Sequence, residues 1–369
     1  MTVAPLAELT IDLGALVANY RLLSARSAPA RAGAAVKSNA YGVGVDQAAT
    51  ALLAAGCRHF FVATLPEGIS LRRTLADGEI FVLCGPLGGD ESDYLAHRLV
   101  PVLNSPQQLD LWAGWCAANG PAPAVLHIDT GMSRLGFAPD ELDALLADAS
   151  SLQRFPLSMV MSHLASADDP ASPQSGAQLG QFRNALARLI PVLPDRPLVS
   201  FANSSGIFLG ADYSFDLTRP GCALYGLNPT PKQPNPMNQV VELKARILQV
   251  RHIDAHQTVG YGAAHRSARA TRVATLGIGY ADGIFRHLSH VGVAFVGGIR
   301  APFIGRVSMD LITIDVGDVP DHLLAPGAWA EIMGPHQTAD DVAALAGTIS
   351  LEVLTALGDR LPRRYIAAK

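Results

Sequence analysis

The sequence predicts an α/β protein, with a (β/α)8 barrel of the TIM type followed by a mostly β C-terminal domain. The chain has 369 residues, more than the roughly 250 residues that one such barrel needs. Short apolar runs alternate with helical patterns over its first two thirds, and the proline-rich segment NPTPKQPNPMN (228–238) then interrupts this order. We therefore assign residues 1–230 to the barrel and 231–369 to the second domain. The first ten or so residues are expected to pair with the C-terminal domain.

Seven apolar runs in the first part are predicted to be strands: Ala32–Val36, Phe60–Ala63, Ile80–Cys84, Val100–Leu103, Ala124–Ile128, Leu157–Met161 and Leu198–Phe201. An eighth strand is predicted near Asp216–Thr218. Helical patterns separate them, and a strand followed by a helix and another strand pairs in parallel. Eight such units favour a closed barrel over an open sheet.

Capping residues mark two of the helices between these strands. Asp46 is predicted to cap a helix over Gln47–Ala55. Ser105, with a proline after it and Gln108 three positions on, is typical of a capping box, and Gly120 is predicted to end that helix. Further helices are predicted over Pro139–Ala149 and Leu179–Leu193.

After the proline-rich segment the patterns become mainly those of strands. The predicted strands are Glu242–Val250, Arg272–Ile278, Val291–Val296 and Leu311–Val316, and the predicted helices are Ala339–Ala346 and Leu351–Leu357. The C-terminal domain is therefore expected to be mostly β.

Composition narrows the function classes. Hydrophobic residues make up 49% of the chain and charged residues 16%, and the net charge is −4. No block of basic residues is present, which argues against nucleic acid or an anionic membrane as a partner. Glu8 and Asp12 interrupt the N-terminus where a signal sequence would be apolar. The four scattered cysteines suggest reduced thiols, a cytoplasmic location and no metal site.

Polar residues follow several of the predicted strands. They are Lys37, Arg134, His163, Ser204 and Arg219. In a barrel of this type the carboxyl ends of the strands carry the active site, so these side chains are expected to converge. The set is basic and predicts an anionic ligand. A lysine that loses its proton on burial becomes a nucleophilic amine suited to forming a Schiff base.

The segment around Lys37, AAVKSNAYGVG, resembles the cofactor-lysine signature of alanine racemases. Other motifs resemble the family in the same order along the chain. They are HIDTGMSRLGF (127–137), MSHLAS (161–166), FANSSG (201–206), RPGCALYGLNP (219–229), GYGAAH (260–265), GIGYADG (277–283), IGRVSMD (304–310) and GTISLEVLTALGDRLPRRY (347–365). The resemblance spans essentially the whole chain.

The resemblance implies pyridoxal 5'-phosphate as cofactor, held as a Schiff base on Lys37. Arg219 would face the pyridine nitrogen and, as a permanent cation, disfavour its protonation, and His163 would support Arg219. Tyr41 and Ser204 would reach the phosphate. The full cofactor-binding set implied is Lys37, Tyr41, Arg134, His163, Asn203, Ser204, Arg219, Gly221 and Cys222.

The resemblance also implies interconversion of L-alanine and D-alanine by two bases, which supplies D-alanine for peptidoglycan. Lys37 would serve one face of the substrate and Tyr261 the other. In the family this tyrosine comes from the second subunit, so a head-to-tail homodimer with shared active sites is implied. The substrate-binding residues implied are Arg134, Met309, Tyr280 and Asp310.

Two positions depart from the family pattern. Where members often carry a carbamylated lysine, this chain has His127, so another group must position Arg134. Where some members place a tyrosine that binds phosphate, this chain has Asp359, and its carboxylate is expected to point elsewhere.

Other functions fit the sequence less well. The IDTGMS motif is similar to that of aspartic proteases, but those need two aspartates and this chain has a single DTG. Pyridoxal-phosphate-binding proteins without activity lack a β domain, whereas this chain has one, with Tyr261 in it. A decarboxylase of this barrel type is expected to place an acidic group where Arg219 lies. A racemase of broader specificity, acting on serine, stays open.

Overall fold

This computed structural model describes residues 4–367. Up to residue 219 the strands are β1 (Ala7–Asp12), β2 (Arg31–Ala32), β3 (Ala34–Ala35), β4 (His59–Val62), β5 (Glu79–Val82), β6 (Leu99–Leu103), β7 (Ala124–His127), β8 (Leu157–Met161), β9 (Leu198–Asn203) and β10 (Leu217–Arg219). The helices of this part are α1 (Leu13–Ser27), α2 (Lys37–Tyr41), α3 (Val45–Ala54), α4 (Leu65–Thr74), α5 (Glu91–Ala96), α6 (Pro106–Asn119), α7 (Pro139–Ala147), α8 (Gln174–Leu189) and α9 (Gly206–Leu209).

Strands β2 to β10 form the predicted barrel. β2 and β3 are two halves of one strand, divided at Gly33; β2 pairs with β10 and β3 with β4. The remaining neighbours pair in parallel in sequence order, so the sheet closes with eight strand positions. A Cβ on Gly33 would lie 2.9 Å from the carbonyl oxygen of His59, so the close contact between these strands requires glycine. The (β/α)8 prediction is confirmed.

Some predicted helix starts are wrong by a few residues. Helix α3 begins at Val45, and Asp46 lies inside its first turn, where its carboxylate accepts a hydrogen bond from Thr74. Ser105 caps α6 as predicted, but Gln108 Oε1 accepts from Asn104 N rather than from the capping residue. Local capping chemistry therefore locates a helix more reliably than it locates the first residue.

The C-terminal part is mostly antiparallel β. Its elements are β11 (Val241–Ile253), β12 (Thr258–Val259), β13 (His265–Arg266), β14 (Thr271–Leu276), β15 (Val293–Val296), β16 (Ile299–Pro302), β17 (Ile312–Asp315), β18 (Trp329–Met333), α10 (Ala339–Ala346), α11 (Ser350–Thr355) and β19 (Arg363–Ile366). The long strand β11 pairs with β1, β14 and β18, and β1 also pairs in parallel with β19. Buried side chains alternate along its first half, as expected for a strand with one face in a core.

The C-terminal part packs on the mouth of the barrel through α11. A Cβ on Gly42, just after α2, would lie 2.2 Å from the carbonyl oxygen of Leu354 in α11. Gly42 also has a φ of 87°, so both its conformation and its contact need glycine. Of the helices among residues 4–367, none combines the length and the apolar character that spanning a membrane would take.

Candidate active site

The carboxyl ends of the barrel strands surround a cavity of about 260 Å³. All nine residues of the predicted cofactor set line it: Lys37, Tyr41, Arg134, His163, Asn203, Ser204, Arg219, Gly221 and Cys222. His127 lines it as well, and Leu351 contributes from α11. The barrel topology therefore brings together residues that are almost two hundred positions apart.

The cavity has a strongly cationic lining. Lys37, Arg134 and Arg219 contribute to it, and no carboxylate lines it in the part of the chain that the structure describes. Burial, with the charge of Arg219 next in importance, holds the pKa of His163 well below its ordinary value. Both effects disfavour a further positive charge in the cavity, so His163 is neutral at neutral pH. This environment fits a ligand that carries more than one negative charge.

Lys37 begins an unusual stretch of backbone. The four residues after it, Ser38 to Tyr41, all have φ between 52° and 54°, in the left-handed region. None is glycine, and each costs about 1–2 kcal/mol in this conformation. The chain makes one left-handed helical turn here, and Lys37 and Tyr41 at its two ends both line the cavity. The Tyr41 ring stacks on Tyr225 at a centroid distance of 4.8 Å. Burial raises the pKa of Tyr41, which keeps its phenol protonated and able to donate.

Small residues and hydrogen-bond donors form one end of the cavity. Ser204 Oγ accepts hydrogen bonds from the backbone N–H groups of Gly221 at 2.8 Å and Ala223 at 3.2 Å. A Cβ on Gly221 would lie 2.4 Å from the hydroxyl of Tyr41, so only glycine leaves this space open. Because Ser204 Oγ accepts these bonds, its own O–H group is still a donor, and together with the Tyr41 phenol it suits a phosphate group.

Asn203 and Cys222, two other residues of the predicted set, lie beside this donor cluster. Asn203 Oδ1 accepts from the N–H of Gly206 at 2.9 Å, and its amide nitrogen donates to Leu164 O at 3.4 Å. Its carboxamide therefore fixes the turn between β9 and α9. Burial raises the pKa of the Cys222 thiol, which stays neutral beside the donor cluster.

Arg219, the last residue of β10, is buried without a carboxylate partner among the described residues. Its guanidinium donates to Ser200 Oγ at 2.6 Å and to the carbonyl of Ser162 at 2.5 Å. Its Nη2 lies 3.4 Å from His163 Nδ1. Because arginine has only donors, Nδ1 must accept, which puts the His163 proton on Nε2. Burial lowers the pKa of Arg219 to about 9, so it is a cation at neutral pH.

His127, which lines the cavity, has a fixed protonation pattern. Asn104 donates from its amide nitrogen to the carbonyls of Leu83 and Val102, both at 3.0 Å. The amide oxygen must therefore accept from His127 Nδ1, which lies 2.8 Å away. Burial, reinforced by the charge of Arg219, lowers the pKa of His127 to about 4. The imidazole is thus neutral, and Nε2 carries a lone pair.

The remaining predicted residues do not line this cavity. These residues, Tyr261, Met309, Tyr280 and Asp310, lie on the C-terminal part, where Tyr261 is 74% exposed and Met309 53%. Two of them have contacts within this part of the chain: Ala281 N donates to Met309 O at 3.0 Å, and Arg360 pairs with Asp310 at 2.8 Å. A single chain therefore contains two separate groups of predicted site residues.

Asp359 is fully exposed and does not line the cavity. Its carboxylate lies 3.7 Å from Arg363 Nη1. Arg363 in turn donates from Nε and Nη2 to the carbonyl of Gly42, at 3.1 Å and 3.0 Å, next to the left-handed turn. Sequence reasoning did not single out Arg363.

Sequence reasoning also did not single out Glu67, which contacts the Lys37 turn from α4. Its carboxylate accepts a hydrogen bond from the backbone N–H of Ser38, at 2.8 Å. Thr64 followed three positions later by Glu67 is a capping-box pattern that could have drawn attention to it.

The fold and this site define a class of protein: a (β/α)8 barrel with a lysine and a phosphate-type donor cluster at its mouth, joined to a β domain. Sequence profiles of the alanine racemase N-terminal and C-terminal domains match residues 11–229 and 240–365. The chain belongs to the alanine racemase family.

Individual relatives agree with this assignment. The chain is 50% identical over 362 residues to an alanine racemase of Rhodospirillum rubrum, covering 97% of this chain and 96% of that protein. It is 45% identical over 370 residues to one of Rhizobium meliloti, at 97% and 96% coverage. The structure of the Bartonella henselae alanine racemase, which has covalently bound pyridoxal phosphate, matches with a TM-score of 0.94 and 41% identity, covering 98% of this chain and all of that one. The biosynthetic enzyme of Pseudomonas aeruginosa matches with a TM-score of 0.89 and 33% identity, at 99% and 100% coverage.

Proposed function

We propose that this chain is a pyridoxal-phosphate-dependent racemase that interconverts L-alanine and D-alanine. The observation that carries the proposal is the cavity at the barrel mouth, with Lys37 and a donor cluster suited to a phosphate. Membership of the alanine racemase family supplies the cofactor and the substrate. The cationic lining of the cavity also suits the substrate carboxylate.

The residues of the cavity fit this cofactor. Lys37 would hold its aldehyde carbon, while Tyr41, Ser204 and the backbone N–H groups near Gly221 would hold the phosphate. When bound, the cofactor withdraws electrons from the substrate and so makes its α-proton acidic. We propose that Arg219 keeps the ring nitrogen unprotonated and thereby limits this withdrawal, since two adjacent positive charges repel each other. Support comes from the burial of Arg219 and from the lack of a carboxylate among the lining residues.

Proton transfer needs a base on each face of the substrate. We propose that Lys37 Nζ takes or returns the proton on one face and that the Tyr261 phenol does so on the other. Because Tyr261 is exposed and does not line its own chain's cavity, it would serve the cavity of a second subunit. Met309, Tyr280 and Asp310 would accompany it in a head-to-tail homodimer.

Arg134 would contact the cofactor's phenolic oxygen and the substrate carboxylate. It makes no hydrogen bond or ion pair within residues 4–367, so its guanidinium has donors to spare for a ligand. The neutral His127, with its free lone pair, would help to orient it in place of an anion.

Mixing two inactive variants tests the shared site. Lys37→Ala and Tyr261→Phe should each abolish racemisation. After subunit exchange, half of the dimers would be mixed, and each would hold one intact site and one doubly substituted site. Activity should then return to about a quarter of that of the unsubstituted enzyme. No recovery, with subunit exchange confirmed by mass, would mean that each site uses residues of one chain.

We also propose that the chain divides into two domains, 1–230 and 231–369. The sheet membership of the strands supports that division, since strands β11 to β19 lie outside the barrel.

We further propose that the enzyme acts in the cytoplasm and supplies D-alanine for peptidoglycan. Growth of a D-alanine auxotroph carrying this chain would support this cellular role, and failure of an expressed, active protein to support growth would contradict it.

A further inference from the structure

The left-handed turn after Lys37 has to be held by contacts from outside it. Its four residues are not glycines, so the turn on its own would favour other conformations. Within the turn region, Asn39 Oδ1 accepts from Val45 N at 2.8 Å. From the C-terminal part, Arg363 donates to the carbonyl of Gly42. The first contact acts through the second residue of the turn and the other acts just beyond its last residue. The backbone N–H of Ala40 also donates to the carbonyl of Val36 at 2.9 Å.

At the near end, the turn is held by Glu67. One carboxylate oxygen of Glu67 accepts from Ser38 N, the residue directly after Lys37, at 2.8 Å. The other accepts from Ala63 N at 2.7 Å, just beyond β4, and lies 3.4 Å from Thr64 N. The carboxylate therefore ties the Lys37 backbone to the end of the neighbouring barrel strand. Hydrogen bonds from N–H groups to a carboxylate are stronger than those to a neutral acceptor.

Both oxygens are needed for this arrangement. A glutamine would keep one carbonyl oxygen, but its NH₂ group would face the second N–H, where a donor meets a donor. Either Ser38 N or Ala63 N would then lose its partner. Glu67 does not line the cavity, so its effect on the cofactor would pass through the backbone of the turn.

We propose that Glu67 is a positioning residue, which fixes the left-handed turn and thereby directs Lys37 and Tyr41 into the cavity. This inference rests on the proposed function, since it concerns the lysine that would hold the cofactor. It differs from a helix-capping role, which would affect stability alone.

The chain offers a matched control. Glu141 occupies the same third position of helix α7 and accepts from Ala138 N at 2.9 Å, without contact to the turn. Glu67→Gln and Glu141→Gln should both lower the midpoint of urea unfolding. Only Glu67→Gln should speed the loss of cofactor from the holoenzyme, by about tenfold. This loss is measured as the decay of the visible absorbance of the Lys37-bound cofactor. It should also lower kcat with little change in KM.

A rescue variant separates the backbone effect from other causes. Glycine adopts the left-handed region without strain. Ser38→Gly should therefore restore part of the cofactor retention lost in Glu67→Gln. If Glu67→Gln alone does not fold, the double variant is compared directly with Ser38→Gly alone. Equal cofactor loss in the two glutamate variants, or no restoration by Ser38→Gly, would overturn the inference. If the unsubstituted enzyme racemises alanine in the same experiments, the proposed function stands independently of that result.

Discussion

Replacing Arg219 by methionine should leave the stability of the cofactor-free protein nearly unchanged while it abolishes most of the activity. Burial lowers the pKa of Arg219 from 12.5 to about 9. At about 1.4 kcal/mol per pKa unit, placing this charge inside the barrel costs about 5 kcal/mol. Its two short hydrogen bonds, to Ser200 and Ser162, offset that cost by about 1.5–3 kcal/mol each.

The two contributions nearly cancel, so Arg219→Met should change the free energy of unfolding by less than about 2 kcal/mol. Racemisation should fall by about a hundredfold or more, as is usual when one preorganised charge is lost. The measurement is urea unfolding of the cofactor-free proteins at one protein concentration, together with alanine racemisation by the reconstituted enzymes.

Arg72 provides the comparison. It donates to four backbone carbonyls at the opposite end of the barrel, far from the cavity. Arg72→Met should lower the free energy of unfolding by about 1–3 kcal/mol and leave activity intact. A fall of more than about 4 kcal/mol in the free energy of unfolding of Arg219→Met would refute this prediction, because the main role of Arg219 would then be to stabilise the fold.

Two further predictions concern the same cavity. The pKa of His127 is about 4 in the folded protein against an ordinary value of 6.5, so the unfolded chain binds the extra proton and stability falls as the pH drops from 6.5 towards 4. His127→Gln should remove about 3 kcal/mol of that acid sensitivity, seen by urea unfolding at pH 7 and pH 4; equal pH dependence in both proteins would contradict it. Gly221→Ala should raise the Kd for pyridoxal phosphate by about tenfold or more in a fluorescence titration, since its Cβ would meet the buried Tyr41. An unchanged Kd would mean that the Tyr41 side chain can move away from the added methyl group at little cost, and would contradict the prediction.

The barrel could be predicted from the sequence because its strands are short, apolar and separated by helices. Leu157–Met161 and Ala339–Ala346 have the predicted bounds. Helix α8 begins at Gln174 rather than Leu179, because its first turn is polar and lacks the apolar spacing that marks a helix. Strand β19 begins with two arginines and shows no strand pattern in the sequence. Tertiary pairing with β1 forms it.

The composition of the cavity could also be predicted, because residues after parallel strands meet at one end of a barrel. What the sequence could not provide was the network behind those residues. The tautomer of His127 depends on Asn104, which follows the neighbouring strand β6, and the Lys37 turn depends on Glu67 in a helix. Both contacts depend on side-chain reach across the folded barrel, which no local pattern encodes.

The most direct test of the account is chemical identification of the residue that holds the cofactor. The chain has four lysines, Lys37, Lys232, Lys244 and Lys369. Borohydride reduction of the yellow holoenzyme, followed by digestion and mass spectrometry, should find the pyridoxyl group on Lys37. Recovery of the group on one of the other three lysines, or on none, would contradict the central claim.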